Sequence, residues 1–139
     1  MSATKWELVS VKYSQRITVK ANGTITAGAP VVEITDGGAD DGQVKIAADG
    51  ECPFAVMVQD ATDGDEKFAE LLIPGQIWDV PFTAVAVTRG HLVTATGSDN
   101  QVDAGASTDD AVGRVVNNDV GATDGHGQIR ICKSHIEIA

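Results

Sequence analysis

Long apolar runs are missing from this sequence. No stretch approaches the roughly 18 consecutive apolar residues that a membrane-spanning helix needs, so no such helix is expected. The opening stretch "MSATKWELVSVKYSQ" lacks the apolar h-region of a secretory signal, which leads to the expectation of an intracellular product. Cysteine is scarce: Cys52 and Cys132 follow no metal or redox spacing, and two buried thiols are expected in preference to a disulfide. Basic charge is scarce too. Ten Lys and Arg stand against 20 Asp and Glu, a net charge of −10 that opposes binding to nucleic acid through its phosphates.

Catalytic and cofactor signatures are equally thin. There is no Walker loop or dinucleotide fingerprint, and "DGHG" is too short to stand for one. Asp36, Asp40 and Asp41, or Asp60, Asp63, Asp65 and Glu66, offer oxygens within single turns, but neither set has the ligand spacing of a calcium loop. Cys132 and His135 form C-x-x-H near His126, yet residues an odd number apart on a strand point to opposite faces. Ser98 in "TGSDN" has no nucleophile-elbow context, and the adjacent pair Asp109–Asp110 does not imply a shared acid/base site. The expectation is therefore no enzyme, no cofactor and no metal.

What is present is a strand cadence. Hydrophobic residues make up 42% and charged residues 22%, as in ordinary globular chains, and 139 residues suggest one domain with one core. "RITVKA" sets Ile17, Val19 and Ala21 against Thr18 and Lys20, "QVKIAA" sets Val44 and Ile46 against Gln43 and Lys45, and "FAVMVQ" aligns Phe54, Val56 and Val58. "QIRICKS" sets Ile129 and Ile131 against Arg130. Between these runs stand turn clusters such as "TDGG", "IPG", "TRG" and "ATDGHG". "STDDAVGRVV" has a possible cap at Ser107, but its β-branched valines and Gly113 favour a strand or single turn over a helix. The fold class is all-β, a small β-barrel or β-sandwich.

A repeat runs through this cadence. A shift of 58 lays "FAVMVQD" over "VGRVVNN", "ELLI" over "QIRI" and Val44 over Val102, while "TAGAPVVEIT" resembles "TRGHLVTAT" at a shift of 62. "ATDG" occurs at 61–64 and again at 122–125, and both copies read as turns between strands. Pseudo-repeated halves over 22–75 and 84–135 are expected inside a body of residues 22–139.

Residues 1–20 carry four basic side chains and one acidic, a net of +3, and the other 119 residues carry −13. An extended basic N-terminal arm, 1–21, is expected to precede the acidic body, free in solvent or lying across a neighbouring copy. Trp6, Tyr13 and Arg16 in that arm are candidate interaction residues, since a solitary exposed Trp is costly unless it docks. Trp78 and Phe82 are the others. They share a face with Val80 in "PGQIWDVPFTAVAV", where apolar residues on both faces suggest a strand covered twice, by the core and by a helix or another subunit.

"TITAGAPVV", "FAVMVQDATDGDE…AELLIPGQIWDVP", "TRGHLVTATGSDNQV" and "AVGRVVNNDVGATDGHGQIRICKS" together resemble the small head-decoration, or capsid cement, proteins of tailed bacteriophages. The resemblance lies in the order of turns and apolar positions over about residues 22–134; the charge-rich turn 60–67 and "STDD" are departures from it. It implies a compact β protein on the outer surface of an icosahedral head, in trimers that bridge major capsid subunits. The major capsid protein and the chain itself would be its partners, without nucleic acid or membrane. Another virion part, such as a fibre base or tail component, or a small ligand- or metal-binding module, are the alternatives. If the arm is separate from the body, deleting residues 1–15 leaves the body folded and weakens capsid binding or oligomerisation; loss of the circular dichroism spectrum on deletion assigns the arm to the core.

Overall fold

A computed structural model describes residues 5–10, 14–83, 87–105, 109–117 and 125–137, the last five by backbone alone. Among these, all regular structure is β: β1 (Glu7–Leu8), β2 (Arg16–Lys20), β3 (Pro30–Glu33), β4 (Val44–Ile46), β5 (Ala55–Met57), β6 (Glu66–Leu71), β7 (Ile77–Pro81), β8 (Leu92–Ala95), β9 (Val102–Asp103), β10 (Asp110–Val115) and β11 (His126–Glu137). Asp110–Val115 of "STDDAVGRVV" is strand, as its β-branched residues favour; Ser107 lies outside the described residues.

The strands form two sheets, in the orders β2-β6-β5-β3-β4 and β1-β7-β11-β10-β8-β9. Advancing every strand of the first by five gives β7-β11-β10-β8-β9, which is the second without β1. The register repeats as well. Val31 faces Ala55 as Val93 faces Gly113, and Val56 faces Glu70 as Arg114 faces Arg130. Glu33 faces Val44 as Ala95 faces Val102. A parallel bridge, Ala21 to Val44 in one sheet and Phe82 to Val102 in the other, joins the first strand back to the third, so each sheet curls toward a small barrel.

Shifts of 62 (Val31 to Val93) and 58 (Val44 to Val102) therefore hold in three dimensions. For β6 and β11 the shift is 60, laying Glu70 over Arg130, two residues from the alignment of "ELLI" with "QIRI". Two residues is one period of a strand, so every side chain keeps its face. The repeating unit starts at β2 and β7, both outside the boundaries 22–75 and 84–135 read from sequence.

Each half has its own core. Val19, Ala21, Ile25, Val31, Val44 and Met57 are among the buried residues of the first, and Trp78, Val80, Phe82, Val93, Val102 and Ile129 among those of the second. A single core was expected, and the chain has these two clusters plus a small one at Val32, Ala47 and Ala95. β5 lies between the two large cores: Ala55 and Met57 face the first and Val56 the second. Period-2 alternation supplies this arrangement, with both faces apolar because both are covered. Ile46, expected on a buried face with Val44, is instead 38% exposed.

The seam between halves also carries polar bonds. The Gly50 amide donates to Ala95 O (2.9 Å), the Asp110 amide to Gly50 O (3.0 Å), and the buried Thr94 hydroxyl reaches Glu51 O across the seam (3.4 Å) besides Asp110 O in its own half (2.8 Å). Cys52 and Cys132 are free thiols on one cavity of about 220 Å³ with Phe54, Leu72 and Val112. Burial pushes the Cys52 thiol up to about 11, helped by neighbouring Cys132 and Asp110, and burial raises Cys132 as well.

Residues of the expected arm are built into both sheets where they are described. β2 pairs with β6 along its whole length, and β1 pairs with β7, placing Leu8 opposite Trp78. Trp6 is 3% exposed. Its amide donates to Gly28 O of the first half (3.0 Å), and its indole Nε1 donates to Asn100 O of the second (2.7 Å). The ring packs against Trp78 at 6.3 Å between centroids.

Two outcomes follow. Trp6→Ala should lower unfolding free energy by about 3–5 kcal/mol in urea titrations, whereas Trp6→Phe, which keeps an aromatic ring, should cost less. Deleting residues 1–15 should then fail to leave an intact body. For the thiols, both raised values keep the protonated form, so Ellman's reagent at pH 8 should react slowly with native protein and fast in urea. Since the folded Cys52 value lies above 9.0, its contribution to stability should be complete below pH 9 and lost as pH rises through about 11. Rapid labelling of native protein at pH 8 would contradict this.

Candidate functional site

Of the five residues singled out from sequence, three lie inside the fold. Trp6 (3% exposed), Trp78 (2%) and Phe82 (1%) belong to the core of the second half, so their apolar surface is satisfied within the chain. The indole of Trp78 donates to Gln76 Oε1 (2.9 Å), an oxygen that also accepts the Ile73 amide (2.9 Å). β7 has β1 and β11 as sheet neighbours, no helix covers it among the described residues, and Ile77 and Asp79 on its other face are half-buried. Arg16 is exposed and its Nε bonds Glu70 Oε1 at 3.3 Å, while Ser14 Oγ donates to Glu70 Oε2 (2.9 Å). These bonds satisfy a carboxylate that is almost wholly buried. Tyr13 lies outside the described residues.

Carboxylates of the acidic turns are occupied with backbone amides, of their own turn or of the segment after β2. Asp63 Oδ1 accepts the Gly23 amide and Asp60 Oδ1 the Ala27 amide, each at 2.8 Å. Asp65 Oδ2 accepts the Thr62 amide (3.0 Å) and hydroxyl (2.9 Å), and the backbone bond is the main reason its carboxyl titrates below the usual range. Asp41 accepts the Gly37 amide, and Asp36 accepts the Gly38 amide, which lowers its own titration. The first "ATDG" is thus a turn closed by Asp65; in the second, residues 122–124 lie outside the described residues. Among the described residues no group of three His, Cys, Asp or Glu side chains is placed to hold a metal. His126 Nδ1 lies 2.9 Å from Asp79 Oδ2, a diagonal cross-strand pair at the edge of the core.

The surface feature that stands out was not singled out from sequence. Arg89, Arg114 and Arg130 line one open groove of about 440 Å³, together with Gly90, Val115, Val116, Ile131 and Cys132. These are three of the chain's four arginines, drawn from the turn before β8 and from β10 and β11. Arg114 and Arg130 are directly opposite across antiparallel strands, an arrangement that disfavours itself through like-charge repulsion. Arg114 Nη1 donates to Gly90 O (3.0 Å), and no carboxylate pairs with any of the three among the described residues. A sequence signal did exist: arginine is rare in this acidic chain, and "TRGHL", "VGRVV" and "QIRIC" place one in each of three matched segments.

The fold is similar to that of a known structure, the N base of head fibre gp8.5 of bacteriophage phi29, with a TM-score of 0.62. The match covers 90% of this chain and 99% of that one at 19% sequence identity, so what the two share is the fold. No protein-family model matches the chain, and no curated protein matches it.

Proposed function

We propose that this protein is a structural part of a tailed-phage virion that binds the outer surface of the icosahedral head and stabilises it by bridging major capsid subunits. The observation that carries this reading is the fold likeness, over nearly the full length of both chains, to a protein described as the base of a phage head fibre. The resemblance in turn cadence to head-decoration proteins supports it independently. The site chemistry agrees: carboxylates that could have gathered into a reactive cluster instead hold turns.

A bridge needs two contact surfaces, and in this reading the two halves, which differ in net charge, provide one each. In this reading the protein is made in the host cytoplasm, assembles as a homotrimer and binds the assembled lattice in preference to free capsid subunits. Binding only the assembled state stabilises that state by mass action. Neither catalysis nor a cofactor enters. A second reading, the base of a head fibre, is favoured by the description of the phi29 structure. It differs in where the protein sits and in what it carries.

Purified protein should co-sediment with expanded, undecorated heads up to a fixed stoichiometry, and saturated heads should melt at a higher temperature. Failure to co-sediment would sink the proposal. Electron microscopy of saturated heads separates the two readings: density at regular lattice positions supports bridging, and density only beneath projecting fibres supports the fibre base.

A further inference from the structure

The duplicated topology makes the arginine groove comparable, residue by residue in strand register, with a place in the first half. Shifted by the repeat, Gly90, Arg114, Val115, Val116 and Arg130 fall on Gly28, Val56, Met57, Val58 and Glu70. In the first half this face is covered. Trp6 lies over it, donating its amide to Gly28 O, and Ser14 and Arg16 close over Glu70. A Cβ placed on Gly28 would lie 2.7 Å from the Lys5 side chain. Val56 is 1% exposed there.

In the second half no described residue covers the same face. No described residue comes within 4 Å of a Cβ placed on Gly90, whose φ of +92° matches the +89° of Gly28. The carbonyl that takes the Trp6 amide in one half takes the Arg114 guanidinium in the other. Val56 and Glu70, buried, are replaced by Arg114 and Arg130, exposed. Repeat symmetry alone would suggest an N-terminal segment of another copy as the occupant. Charge excludes it, because residues 1–20 carry a net of +3.

The two halves differ in charge in the complementary sense. Residues 22–75 hold eleven acidic and two basic side chains, a net of −9, while residues 84–135 hold six and four, a net of −2. Within the first half, Asp40 on a turn and Glu66 at the first position of β6 are exposed and have no side-chain hydrogen bond or ion pair among the described residues. We propose that the Arg89–Arg114–Arg130 groove docks the carboxylate-bearing turns at 36–41 and 60–66 of a second copy of this chain, head to tail. Such a contact joins two different surfaces, so its repetition closes a ring of copies if the rotation permits. Guanidinium–carboxylate pairing over the apolar floor of Val116 and Ile131 supplies orientation and affinity. The inference rests on the groove and the charge split, and holds whether or not the protein binds a phage head.

The test is self-association of the full chain, without heads, by sedimentation velocity at low and high salt. Wild type should associate, and rising salt should weaken it. Arg89→Glu/Arg130→Glu, which leaves the Arg114–Gly90 bond in place, should weaken association by more than about tenfold while the circular dichroism melt is unchanged. Asp40→Lys/Glu66→Lys should weaken it likewise. Mixing the two variants, each poor at self-association, should restore assembly through the reversed pairs. Wild type that stays monomeric at low salt overturns the proposal, as does association that survives the arginine reversal. A monomer whose groove binds inorganic phosphate or an acidic peptide would also overturn it and assign the groove to another ligand.

Discussion

Trp6 is the side chain on which the arrangement of the two halves depends. Its backbone amide is tied to the first half at Gly28, its indole nitrogen to the second at Asn100, and its ring to Trp78. One large side chain thus closes both polar and apolar contacts between two small cores. The first core is built mainly from Ala and Val and the second mainly from Val around Trp6, Trp78 and Phe82, and small side chains fill a thin barrel without offering much area to a neighbour. The seam gains from a single bulky group what many small ones would not supply.

The duplication also creates a problem of surfaces. Two copies of one topology present two copies of the same outer face, and the chain has only one N-terminal segment to cover them. In the first half that face kept an apolar and buried character at Val56, with Glu70 neutralised by Ser14 and Arg16. In the second half the matching positions became Arg114 and Arg130 and remain in solvent. Charge there has two physical consequences. It disfavours association of that sheet face through apolar contact, and it sets a basic groove in an otherwise acidic chain.

This division is the one that the proposed structural role would use. Its acidic side chains shape turns, its thiols are held neutral by burial, and its buried aromatics hold the halves together. What remains for contact with other molecules is shape and charge on the outer faces. The proposed role on a virion head and the proposed head-to-tail contact both draw on those faces, and they are separable because one needs the capsid and the other does not.

The strands, the turns and the repeat were legible in the sequence. Alternation in "RITVKA" and "QIRICKS" and the Gly-Asp turn clusters are local, and hydrogen-bond register propagates from them, so shifts of 58 and 62 found in the letters reappear as paired residues. The two-residue error at "ELLI" survived unnoticed because it preserves which face each side chain takes. Coverage was not legible. Whether Trp6 reaches out to a neighbour or folds back depends on a groove formed by Gly28, Val56 and Trp78, residues that sequence leaves far apart. Likewise Arg89, Arg114 and Arg130 are unremarkable singly and become one site only when β8, β10 and β11 lie side by side. The sequence by itself determined an all-β chain in two matching halves, because local alternation and turn chemistry set those. Only the tertiary structure decided which face of each half is covered, because that is fixed by packing between segments distant in the chain.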